Sequence, residues 1–176
     1  MAQIVKDPLL TAARVIIVVL MVVLGLVGLL LVMCAGYIAA DPSGLTVELF
    51  KEGLAHPEHN VVVAIVAVML LALVPLAMAM LFLHLLRLMI DSVGIGDPFV
   101  PANADRLSRM GWLVIGIQLA SLPIGAIAVW LAQRVKDADI DVGFSVQGIV
   151  LALVLFILAR VFRQGAAMLE ELEGTV

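Results

Sequence analysis

His56-Pro57-Glu58-His59 sets two imidazoles and a carboxylate within four residues, donor types that zinc and copper accept. Proline between the histidines disfavours the helical turn that would converge them, and no cysteine or third histidine lies near. The pattern reads as a solvated loop rather than a metal site. Asp137, Asp139 and Asp141, beside Arg134 and Lys136, resemble a calcium loop, but the central glycine and closing glutamate are absent. Cys34 is the single cysteine, so no intramolecular disulfide forms, and its apolar surroundings mark a small buried or lipid-facing residue. Leu30-Leu31-Val32-Met33 ahead of it lacks the small residue that precedes a lipid-modified cysteine. No serine or cysteine has an evident base beside it, and no phosphate-binding glycine loop precedes a suitable helix. The reading assigns no catalytic, cofactor-binding or metal-ligating residue and expects no enzyme.

The remaining polar residues with positional meaning fall into two sets. Gln118 and Gln147 are amides inside apolar runs, where an amide needs a partner such as another helix or a backbone carbonyl, and Pro75 and Pro123 are prolines that kink a spanning helix. The second set is basic. Arg87, Arg106, Arg109, Arg160 and Arg163, with Asn103 and Asp105, cluster at the ends of apolar runs and form a candidate surface for a cytoplasmic partner or for lipid. His84 and Arg87 arrive where their helix leaves the apolar layer, and Asp91 follows Arg87 at the four-residue spacing that favours an ion pair.

What positions these groups is a chain of 176 residues that is 64% hydrophobic and only 14% charged, with a mean hydropathy of +1.22. Soluble domains are about 45–50% apolar and about 25% charged, so the composition excludes an ordinary soluble fold. The net charge of -4 supplies no overall basic footprint and argues against direct nucleic-acid binding. Four long apolar stretches predict an all-α, polytopic membrane protein, a four-transmembrane-helix bundle forming one domain over residues 1–176. The spans fall at about 15–40, 61–86, 111–133 and 142–162, with outer loops at 41–60 and 134–141. The first is too long for the apolar region of a secretory signal and is kept in the protein. Gly25, Gly28, Val32 and Gly36 on it, and Ser121, Gly125, Ala128 and Ala132 on the third span, are small-residue faces suited to close helix approach.

Residues 91–110 form the hinge between the two halves. Pro98 and Pro101 disfavour helix before them, Asn103 can cap a new helix, and Arg106, Arg109, Leu107, Met110 and Trp112 then give a short interfacial helix between spans 2 and 3. Lys6, Arg14, Arg87, Arg106, Arg109, Arg160 and Arg163 lie on the side of the termini, against Lys51, Arg134 and Lys136 opposite. The excess of positive charge predicts both termini and the hinge in the cytoplasm, an N-in/C-in topology. The outer face is acidic.

The hinge carries Gly96, Pro98, Phe99, Asn103, Arg106, Leu107, Gly111 and Trp112 in the order Gly-x-Pro-Phe-x-x-x-Asn-x-x-Arg-Leu-x-x-x-Gly-Trp. With four spans and the Phe156, Arg160 and Gly165 region, this resembles a bacterial family of small four-helix membrane proteins, domain of unknown function 2975. Ser108 stands where a basic residue is expected. The resemblance implies no established activity and genes often placed beside small helix-turn-helix regulators; the charge bias places the chain in a bacterial inner membrane.

The leading expectation is therefore a non-enzymatic membrane module whose basic end contacts a cytoplasmic transcriptional regulator or anionic lipid of the bilayer, with a homo-oligomer as a further option. The alternative is a small transporter or channel subunit lined by Gln118 and Gln147 between helices kinked at Pro75 and Pro123. Against it, no charged residue lies in the middle of any span.

Overall fold

The computed structural model describes residues 8–44, 59–94, 99–133 and 145–173. Every regular element among them is helical: α1 (Pro8–Ala40), α2 (His59–Leu71), α3 (Leu73–Gly94), α4 (Pro101–Ala132) and α5 (Val146–Glu173). With α2 and α3 counted as one interrupted span, four helices are long and apolar enough to cross a membrane. Most of their large apolar side chains face outward, as on Val19, Leu30, Leu81 and Ile157. In water that surface would be untenable; against lipid chains it is the expected solvated state. The chain is a multi-pass membrane protein.

Neighbours in sequence are neighbours in space. α1 packs on α2 and α3, these pack on α4, and α4 packs on α5, with α2 and α3 as one span and successive spans running antiparallel. α1 has only Ile17 and Ala35 buried, and most of its other side chains are exposed. Its glycine face is used in part: a side chain added at Gly28 would come 3.0 Å from Leu76 and one at Gly25 3.8 Å from Met80, whereas Gly36 faces open space.

The proline expected to disturb the second span does so. Pro75 has no N–H to give the Leu71 carbonyl, the helix is interrupted at Ala72, and the Leu76 N–H reaches the Ala72 carbonyl at a long 3.3 Å. α4 in contrast runs unbroken through Pro123. It also corrects the reading of the hinge. Proline is tolerated in the first turn because that N–H would be unpaired anyway, so α4 starts at Pro101, with extended Val100 as its N-cap and no side-chain cap. Asn103 therefore lies inside the first turn instead of capping it, and the short interfacial helix is the beginning of α4 rather than a separate element. α5 begins at Val146 and continues through Gly165 to Glu173, past the end of the membrane span expected at 142–162.

The buried core lies toward one end of the helices. Leu107, Met110 and Val114 of α4 meet Ala152, Leu155 and Ala159 of α5, with Phe82, Leu85, Leu86 and Met89 of α3 against them. Both sets repeat at three and four residues, which aligns one face of each helix, and the alanines let the larger α4 side chains seat. Because lipid is as apolar as leucine, this core stabilises through packing rather than removal from water, and the polar links between helices gain relative weight.

Beyond α1, the Ser43 hydroxyl and its backbone N–H donate to the Asp41 carboxylate, the latter at 3.2 Å. These bonds, the hydroxyl first, hold the Asp41 carboxyl below its ordinary value of 3.8. A lowered carboxylate contributes its turn stabilisation above the ordinary value and loses it as pH falls through the lowered one. Carbon-13 titration of the Asp41 carboxyl will show a midpoint below 3.8, and Ser43→Ala will move it back up.

Candidate functional site

The polar end of the helices is assembled around Asn103, which is fully buried at 0% exposure. Its Nδ2 donates to Ser92 Oγ at 2.7 Å, and its Oδ1 accepts from Arg106 Nη1 at 2.7 Å. The same guanidinium nitrogen donates to the Leu88 carbonyl at 3.2 Å, and Ser92 Oγ donates to the Met89 carbonyl at 2.7 Å. Carbonyls near the C-terminus of α3 are thus satisfied partly by side chains of α3 and α4, which fastens the two helices at their junction. Asn103 belongs to this junction, so the expected role in an exposed partner surface does not apply to it: a side chain without solvent exposure cannot meet a partner. Half-buried Arg106 is committed to the same network.

Aromatic rings and glycines join α5 to this junction. Phe99 stacks tilted on Phe162, 5.3 Å between centroids, and a side chain at Gly165 would come within 2.7 Å of the Phe99 ring. The Phe156 ring lies edge-on to Trp112 at 5.6 Å and would be 2.9 Å from any side chain at Gly111. Phe99, Asn103, Arg106, Leu107, Gly111 and Trp112 of the hinge pattern are therefore all interhelical contacts, and Phe156 and Gly165 are two of their partners. Gly96 and Pro98 lie outside the described residues.

The remaining charges collect at the same end. Arg14 of α1 pairs with Asp91 of α3, and Arg163 of α5 with Asp105 of α4 at 3.3 Å. The first corrects the expected Arg87–Asp91 pair: α1, which spacing along α3 cannot reveal, brings a guanidinium to Asp91. Both pairs are exposed enough to contribute only about 0–1 kcal/mol each. Arg87, Arg109 and Arg160 are exposed and have no acidic partner among the described residues. Arg109 shares a cavity of about 430 Å³ with His84, Trp112 and Leu81, and Arg160 shares a cleft of about 540 Å³ with Ser108, Arg163 and Gln164.

Deeper between the helices, Gln118 Nε2 donates to the Ser145 carbonyl at 2.8 Å, a backbone partner of the kind its position called for. It borders a largely apolar cavity of about 560 Å³ between α1, α3, α4 and α5, together with Ser145 and Gly148. Gln147 does not join it: the side chain is exposed on the first turn of α5. Pro123 is exposed as well, and Pro75 is half-buried at the interruption between α2 and α3. Sequence reasoning missed Ser92, Phe162 and Gly148. All three become visible only once α3 and α5 are laid beside α4.

The metal-like His56 and the acids Asp137, Asp139 and Asp141 lie outside the described residues, as does the side chain of His59. Among the described residues no three His, Cys, Asp or Glu side chains cluster as metal ligands.

A family model described as "Protein of unknown function (DUF2975)" matches residues 50–176, which include α2 to α5 and every contact of the polar end except that of Arg14. The chain belongs to this family. No curated protein and no solved structure matches it. The family's description attaches no activity to the chain.

Proposed function

We propose that the chain is a non-enzymatic membrane module that presents its polar end to a cytoplasmic protein, with a helix-turn-helix regulator as the partner class. The observation that carries this reading is the end of α5. Beyond the Phe99–Gly165 contact the helix continues for about two turns, where Met168 (65% exposed), Leu169 and Leu172 (66% exposed) share a face next to Glu170 and Glu171. Exposed large apolar side chains that share one face of α5 suit capture by a partner groove. The positive-charge bias supports a cytoplasmic position for this end and for both termini in a bacterial inner membrane. The non-enzymatic reading draws support from the buried polar groups, Asn103 foremost, being engaged in helix junctions.

Transport is the weaker reading. It draws on the cavity beside Gln118, whose other lining is apolar except for Ser145, and Gln147 lies off that lining.

The test is co-purification from membranes with a regulator encoded beside the gene. Met168→Glu with Leu172→Glu is expected to reduce recovery about tenfold or more, the scale of losing two apolar anchors. Unchanged recovery would count against the α5 surface. Arg106→Glu is unsuitable as a probe, because it also breaks the Asn103 network. Reporter fusions at Lys51 and Arg134 should behave as external and one at the C-terminus as cytosolic.

A further inference from the structure

We propose that the cavity between α3 and α4 at His84, Arg109 and Trp112 is a binding site for one anionic phospholipid, with the headgroup phosphate at Arg109 and an acyl chain along Met78, Leu81 and Leu113. The site goes beyond the partner reading and does not depend on it.

Its upper and lower parts have the two chemistries that such a lipid requires. Arg109 is the last charged residue before the long uncharged run of α4, and Arg87 is the first after that of α2 and α3. Both are therefore at the boundary where headgroups lie, and His84 shares a helix face with Arg87 one turn deeper. The acids able to neutralise them are engaged elsewhere: Asp91 is held by Arg14 and Asp105 by Arg163. Two exposed guanidiniums at the headgroup level without an acidic partner among the described residues attract an anion, and a phosphate accepts from a guanidinium fork in two places.

Immediately below, the lining of the cavity of about 430 Å³ changes to Met78, Leu81, Leu85 and Leu113, and Leu81 and Trp112 are exposed at its edge. Trp112, 64% exposed, closes one flank with its ring edge-on to Phe156, placing an indole at the depth such rings favour. A water-soluble anion would leave this apolar lower part unmatched. A zwitterionic lipid would fill the groove but bring its own cation toward Arg109. The anionic phospholipid satisfies both levels, and the match of charge above with apolar surface below selects it as the occupant.

Trp112 also supplies the readout. With Trp130→Phe as background, Trp112 is the sole tryptophan, and bromine atoms on a nearby acyl chain quench its fluorescence. The protein is reconstituted in phosphatidylcholine vesicles carrying a minor share of either brominated phosphatidylglycerol or brominated phosphatidylcholine. The expected result is quenching by the glycerol lipid as though its local share were about fivefold enriched, the scale of one basic side chain acting on an anionic headgroup. Arg109→Gln removes the excess, while Arg160→Gln, on the α5 side of α4, leaves it intact. His84→Gln provides a second variant at the site should Arg109→Gln fail to reconstitute, and it lowers the excess without abolishing it. Equal quenching by the two lipids overturns the proposal. So does an equal loss in Arg160→Gln, which would signify general surface charge, or loss of the excess on adding inorganic phosphate, which would signify a free-anion site. None of these outcomes bears on recovery of a protein partner through Met168 and Leu172.

Discussion

Asn103→Leu is expected to lower stability by about 2–4 kcal/mol, measured by reversible unfolding in mixed micelles, because it removes two hydrogen bonds at once. The buried amide donates to Ser92 and accepts from Arg106, and leucine can do neither. A hydrogen bond to a charged group contributes about 1.5–3 kcal/mol and one between neutral groups about 0.5–1.5, so the guanidinium link carries the larger share. Arg106 keeps its bond to the Leu88 carbonyl, which limits the loss. Two milder variants order the contributions. Asn103→Asp retains an acceptor for Arg106 while removing the donor to Ser92, and Ser92→Ala removes one neutral bond. The expected order of destabilisation is Asn103→Leu, then Asn103→Asp, then Ser92→Ala. A cap on the first turn of α4 would behave otherwise: aspartate caps as well as asparagine, so Asn103→Asp would then be neutral. The order of the first two variants against wild type therefore separates a buried junction from a capping role.

The same residue shows how far one sequence can be read. Uncharged runs declare the four spans, since no other solvent accommodates them, and Pro75 declares its interruption because the missing N–H acts within the same helix. Gln118 could likewise be assigned a need, an amide at depth requiring an acceptor, though not the identity of Ser145. The cap expected of Asn103 and the partner expected of Asp91 differ from the structure for one shared reason. Capping rules and four-residue ion-pair rules describe a helix by itself, and each of these side chains is governed by a neighbouring helix: α3 for Asn103 and α1 for Asp91. Gly165 follows the same logic: the Phe99 ring lies against the helix there, and absence of a side chain is needed for that packing. The hinge pattern is thus legible as a set of unusual residue types, while the reason for each type lies across a helix interface.

Gly148→Ala makes the strongest test of that view, because its effect should reverse sign with a residue thirty positions away. A methyl group at Gly148 would overlap the Gln118 amide nitrogen and press on its Cδ at 2.8 Å. Gln118 must then swing aside and give up the Ser145 carbonyl, leaving an amide without its partner in the apolar layer. A lost interhelical bond in membranes costs about 0.6–1.7 kcal/mol, and an unsatisfied polar group adds to it, so Gly148→Ala should destabilise by about 1–3 kcal/mol. In the Gln118→Ala background there is no amide to displace. Alanine is the better helix former by about 0.5–1 kcal/mol, and Gly148→Ala should then stabilise the protein by up to that amount. The two unfolding free energies measured in each background give the coupling directly, expected at about 1.5–4 kcal/mol with opposite signs for the two single steps. The same sign in both backgrounds would mean that Gln118 and Gly148 are not in contact, and the antiparallel register of α4 and α5 would have to be redrawn.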